Sequence, residues 1–144
     1  MLTYLDTSAL AKWYLNESRS EDFSIWAREQ SDTHISRLTA LELRCLLARR
    51  RRARDFSATL EQRIYAAFEQ DIRDGHLIMH PLGDRPVAAA IMLLERVAPI
   101  ALRTLDAVHL RVALDMGAEQ VATADRTMAE AADEVGLRVK SFWS

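Results

Sequence analysis

The sequence is short of every residue type that staples, breaks or bends a chain: among 144 residues it has one cysteine, three prolines and four glycines. Cys45 alone cannot close an internal disulfide, which is compatible with a reducing compartment. So little glycine and proline leaves most of the chain free for regular structure. No long apolar run is present; the longest uncharged one, Pro86 to Leu94, has nine residues, against about 20 for a membrane-spanning helix. The first residues carry Asp6 and lack the basic segment of a signal peptide. Charge of one sign is missing too. A net charge of −2 offers no bulk argument for nucleic acid, so such a partner would have to be recognised locally. With 49% hydrophobic residues the chain can bury one sizeable core. The expectation is a soluble, cytoplasmic, single-domain protein spanning 1–144, with no membrane association.

Periodicity and cap residues divide the chain into alternating strands and helices. Residues 2–5 read as a short buried strand and 8–16 as a helix with Leu10, Trp13 and Tyr14 at helical spacing. A second helix lies within 18–30. A weakly signalled strand covers 33–36, and a clear helix runs over 38–52. Ser57 caps a helix that Gly75 ends. A short strand at 76–80 stops at Pro81. Asp84 and Pro86 open a helix that cannot continue through Pro99. Thr104 is expected to cap a helix over 104–116. A strand at 120–123, a helix over 125–136 and a last strand at 137–142 complete the pattern. Strands alternating with helices imply a mostly parallel sheet covered on both faces, an α/β architecture.

Four acids stand where such a fold converges. Asp6 follows the first strand and Asp125 the strand 120–123. Each could simply cap the helix that follows. Glu42 falls between Leu38 and Leu46 on a helical projection, so it interrupts an apolar sector. Asp106 projects opposite Thr104, Arg111 and Asp115, on the face with His109, Leu110 and Ala113. The helix dipole favours an anion there by only about 0.3–1 kcal/mol. Burying an ion costs several kcal/mol, so a further cation is expected. In a parallel sheet, strand ends and the helix starts that follow them share one edge, where ligands bind in open α/β folds. Four carboxylates at that edge repel one another. An all-oxygen ligand set suits Mg²⁺ or Mn²⁺, and the chemistry it suggests is phosphodiester hydrolysis. Zinc is disfavoured, because no histidine and cysteine pair has ligand spacing.

Leu5-Asp6-Thr7-Ser8, Ser36-Arg37-Leu38-Thr39-Ala40-Leu41-Glu42, Leu105-Asp106-Ala107-Val108-His109-Leu110 and Thr123-Ala124-Asp125-Arg126 resemble the four acidic motifs of PIN domains, in an order and spacing similar to VapC-like toxins. The resemblance covers nearly the whole chain. It implies a three-layer fold around a five-stranded, mostly parallel sheet, and a Mg²⁺-dependent endoribonuclease acting as the toxin of a toxin–antitoxin pair. It further implies an RNA substrate, a homodimer and a cognate antitoxin protein. Asp6 and Asp106 would be the principal metal ligands. Glu42 and Asp125 would complete the acidic pocket, with Thr7 or Ser8 and Thr123 orienting carboxylates or water. Two positions depart from the pattern: Arg111, where a small residue is usual, and Met128, where an aromatic is common.

Other features carry two readings each. Arg49 to Arg52, with Arg44 and Arg54, are a solvated helix end or a contact for RNA phosphates. His109 is a satisfied core histidine or a general base; His76 and His80 bracket a strand and suggest no chemistry. Trp13, Tyr14, Phe23 and Trp26 are core or line a groove for a partner. Rival functions are a catalytically silent binding protein on the same scaffold and a DNA-directed nuclease. A third, an aspartyl-phosphate enzyme, usually needs a lysine after a suitable strand, and neither Lys12 nor Lys140 is one.

Overall fold

A computed structural model describes residues 1–143. Five strands, β1 (Thr3–Leu5), β2 (Thr33–Ser36), β3 (Ile78–His80), β4 (Gln120–Thr123) and β5 (Arg138–Ser141), form one sheet in the order β3-β2-β1-β4-β5. Every neighbouring pair is parallel. Seven helices connect them: α1 (Thr7–Tyr14), α2 (Ser20–Arg28), α3 (Arg37–Arg52), α4 (Ala58–Arg73), α5 (Asp84–Val97), α6 (Thr104–Asp115) and α7 (Arg126–Glu134).

The period-2 alternation of the strands sorts the core into two halves. Tyr4 and its register partner Val121 face a cluster built from α5, α6 and α7, including Leu93, Leu110 and Met128. Leu5 and its partner Ala122 face the opposite cluster from α1 to α4, including Leu10, Phe23, Leu43 and Phe68. Both faces of the sheet are covered. β2, weakly signalled in the sequence, is buried at all four residues.

Local capping sets the helix starts much as the sequence indicates. Ser57 Oγ accepts the Leu60 amide. Gly75 takes φ +80°, and the His76 amide beyond it returns to the Asp71 carbonyl, closing α4. Thr104 is a correction: it is the first helical residue, and Arg103, which makes no side-chain cap bond, holds the cap position. The Arg103 side chain is committed elsewhere. Trp13, Tyr14, Phe23 and Trp26 stack into the core cluster under α2, with Phe23 fully buried. Of the two atypical positions, Met128 fills the α6–α7 core and Arg111 pairs with Asp115 at 2.6 Å. His80, set aside in the sequence, bonds through Nε2 to His34 Nδ1 at 2.7 Å across β2 and β3. Among the described residues no helix is long and apolar enough to cross a membrane.

The order of the strands places the site. From β1 the chain moves outward through β2 to β3. It then returns across the sheet to β4 on the other side of β1. The carboxyl ends of β1 and β4 therefore flank the point where the winding reverses, the crevice that open α/β sheets use for ligands.

Candidate active site at the carboxyl edge of the sheet

Asp6 sits one residue past β1 and caps α1. Its Oδ1 accepts the Ala9 amide at 2.9 Å and the Ser8 hydroxyl at 2.7 Å, and its Oδ2 accepts the Thr123 hydroxyl from the end of β4. The carboxylate is only 3% exposed. The cap reading and the cleft reading thus describe one side chain. Burial raises its pKa above the ordinary 3.8, opposed by the His109 charge and by the Thr123, Ala9 and Ser8 hydrogen bonds.

Asp125 stands in the equivalent place after β4. Its Oδ1 caps α7 through the Thr127 and Met128 amides at 2.8 and 3.2 Å, and its Oδ2 accepts Arg103 Nη2 at 2.9 Å. Asp106, in the first turn of α6, accepts Arg103 Nε at 3.3 Å. Burial, and after it the Asp125 charge, raises the Asp106 pKa against the opposing pull of Arg103. The cation that the burial of Asp106 called for is therefore in part this guanidinium, 77% exposed at its side chain and spanning two carboxylates.

Glu42 reaches the same cleft from α3. Its Oε1 accepts the Thr7 hydroxyl at 2.8 Å and His109 Nε2. Burial pushes the carboxyl up, but the His109 hydrogen bond and charge, with Thr7 and Arg103, outweigh it and hold the group below its ordinary value. His109 is a core residue, 1% exposed. Its Nδ1 meets the Tyr4 hydroxyl at 2.7 Å, and that hydroxyl also meets Ser36 at 2.9 Å and Thr39 at 3.2 Å. A ring nitrogen facing a carboxylate must carry hydrogen to be attractive, so Nε2 donates to Glu42. A chain of hydrogen bonds then runs from the buried centre of β1 to the cleft.

All four acids line one cleft of about 670 Å³, with Thr7, Ser8, His109 and Arg103 beside them. One neighbour, Arg103, escaped the sequence reading, and so did one contact of His109. Arg103 lies three residues before Asp106, one helical turn away, a spacing that could have marked it. His109 lies three residues after Asp106 on the same face; its core assignment holds, yet it also grips Glu42.

The lone pairs not already used decide what the cleft can bind. Among the described residues, Oδ1 of Asp106 and Oε2 of Glu42 make no hydrogen bond, and Oδ2 of Asp6 and Oδ2 of Asp125 each accept only one. No three histidine, cysteine or acidic side chains are grouped there as a ready-made metal cage. Mg²⁺ does not require one: it keeps several waters and takes one or two carboxylates. The donor set is all oxygen and partly buried, so a hydrated divalent ion fits it. Such an ion would have to displace or share Arg103.

Known proteins resemble this chain along its length. The PIN domain model matches residues 3–134. Ribonuclease VapC47 of Mycobacterium tuberculosis (strain CDC 1551 / Oshkosh) is 33% identical over 143 residues, covering 94% of this chain and 93% of that protein. The sarcin-ricin loop cleaving toxin VapC20 of Mycobacterium tuberculosis superposes with a TM-score of 0.70 at 19% identity, covering 94% of this chain and 98% of that one. FitAcB from Neisseria gonorrhoeae superposes with a TM-score of 0.72 at 19% identity, covering 96% of each chain. A matching family model over nearly the whole chain and a relative of similar length leave one assignment: the chain belongs to the PIN-domain family, and within it is similar to VapC-like toxins.

Proposed function

We propose that this protein is a metal-dependent endoribonuclease, the toxin of a toxin–antitoxin pair, working as one catalytic domain in the cytoplasm. The observation that carries the reading is the meeting of Asp6, Glu42, Asp106 and Asp125, four oxygen donors, in one cleft at the β1–β4 switch point. The relative named ribonuclease supports RNA as the substrate. Asp6 and Asp106 are the principal ligands for Mg²⁺ or Mn²⁺, and Glu42 and Asp125 complete the set. When bound, the ion supplies an activated water and charge stabilisation for in-line displacement at phosphorus. The chain's own residues prepare that step. Thr123 and Ser8 fix the plane of Asp6, Thr7 and His109 hold one oxygen of Glu42 so that the other faces the cleft, and the α7 amides orient Asp125.

Arg103 on Asp106 and Asp125 also supports the partner. A guanidinium fits this carboxylate pair, so an arginine offered by an antitoxin would compete with the ion for it. The outer face of α5 leaves Val87, Ile91, Met92 and Leu94 exposed, which supports a homodimer through that helix. Met92→Glu should then lower the mass seen by light scattering to that of one chain; a monomeric parent would end the idea.

Purified protein should cleave single-stranded RNA with Mg²⁺ or Mn²⁺, stop in EDTA and resume when the ion is restored. RNA left intact under every divalent ion would sink the proposal. Equal cleavage of DNA would reassign the substrate.

A further inference from the structure

The cleft does not end at the acids. Its wall continues along α1 through Ala11 to Lys12, and along α3 through Cys45 and Leu46 to Arg49. These positions follow the three- and four-residue spacing of a single helix face. The four acids, with Arg103, therefore line one end of the groove, and Lys12 and Arg49, with Glu17, line the other. From Glu42 to Arg49 the rise along α3 is about 10 Å at 1.5 Å per residue.

The basic run of α3 divides by direction. Arg50 is spent on Glu17 and Asp55, and Arg51 on Glu61 at 3.1 and 3.2 Å. Arg52 does not line the groove. Arg49 does, is exposed, and among the described residues makes no ion pair or side-chain hydrogen bond. Lys12 lines the opposite wall, its side chain 11% exposed. Its acidic neighbour is Glu17 at 3.6 Å, beyond hydrogen-bond length, and Glu17 already serves Arg50. Between the two ends lie exposed Cys45 and half-buried Leu46, an apolar rest for a sugar or base. An acidic peptide would meet the carboxylates along this path. A nucleic-acid strand would not be refused by them once a divalent ion binds, because it presents a phosphate to each end.

We propose that Arg49 and Lys12 form a phosphate subsite that holds the backbone of a single-stranded RNA next to the scissile position. The inference rests on the nuclease reading for its substrate but is tested separately from it. The probe is a short fluorescein-labelled single-stranded RNA, with Ca²⁺ replacing Mg²⁺ and anisotropy read across a salt series. Arg49→Gln should weaken binding severalfold and lower the slope of log K against log salt by about 0.7, the value of one lost phosphate contact on a single strand. Arg49→Lys should restore the slope, and Arg52→Gln, an equal change of charge off the groove, should leave it at the parental value. In turnover with Mg²⁺, Arg49→Gln should raise KM severalfold and leave kcat within about twofold. Because Arg49 is exposed and unpaired, its variants should melt with the parent. The proposal is overturned if Arg49→Gln behaves like Arg52→Gln, or if the parent binds no RNA. A parent that binds with the expected slope change but never cleaves would overturn the nuclease reading and leave this subsite standing.

Discussion

Asp6→Asn and Asp106→Asn should each abolish the proposed RNA cleavage, by more than the roughly 10–100-fold that loss of a partner outside the metal's own ligands costs, and should leave the fold standing. Asparagine keeps the shape of the side chain and an oxygen for the Ala9 amide and the Ser8 hydroxyl. What it removes is the charge a divalent ion needs. Burial already disfavours that charge at Asp6 and at Asp106, whose pKa values both lie above the ordinary 3.8. Such carboxyls bind protons more tightly folded than unfolded, so in EDTA they cost stability as pH rises through their raised values. Each asparagine variant should therefore melt no lower than the parent in EDTA near neutral pH, and should flatten that fall. Asp106→Asn also loosens Arg103, but a guanidinium so exposed contributes little. Glu42 works in the opposite sense: its lowered pKa contributes stability above its ordinary 4.5, lost as pH falls through its folded value. Thermal melts in EDTA across pH, beside cleavage assays, check both halves. Parental cleavage by either variant would show that its carboxylate is not a ligand, and a large loss of melting temperature in EDTA would contradict the clustering of unpaired charge.

His109→Ala has the largest expected effect on stability, a loss of roughly 3–5 kcal/mol. Removing a fully buried ring leaves a cavity, and here it also takes one of three partners from the Tyr4 hydroxyl and leaves Glu42 Oε1 with the Thr7 hydroxyl alone. For a domain of this size the melting temperature should fall by about 10 °C or more. Tyr4→Phe should cost less, roughly 1–2 kcal/mol, because Ser36 and Thr39 remain within reach of each other at 3.4 Å. The two side chains touch, so the double variant should be less destabilised than the sum of the single losses. Strict additivity in calorimetry, or an unchanged melting temperature for His109→Ala, would show that the chain from β1 to Glu42 holds nothing in place.

Asp6 shows why local pattern and final role can both be right. An acid followed by Thr7 and Ser8 is a helix cap by local chemistry, and the structure keeps that bond to Ala9. The same carboxylate takes the Thr123 hydroxyl, which lies 117 residues away. Periodicity placed Glu42 and Asp106 on faces that do not look at solvent, because the angle of a residue around its helix follows from counting. Of the two readings of His109, core residue or general base, its burial bears out the first, while its grip on Glu42 went unread.

The amino-acid order by itself determined the alternation of strands and helices, the capping at Asp6, Ser57 and Asp125, and which helix face each acid occupies, since all of these are set by neighbours a few residues apart. Only the tertiary structure decided that Arg103 bridges Asp106 to Asp125, that Thr7 and His109 share Glu42, and that Arg49 alone of its run turns into the groove. Those contacts depend on β1 lying between β2 and β4, an adjacency chosen by the burial of whole faces, and a helical count that gives an angle about one axis carries no information about which other axis stands beside it.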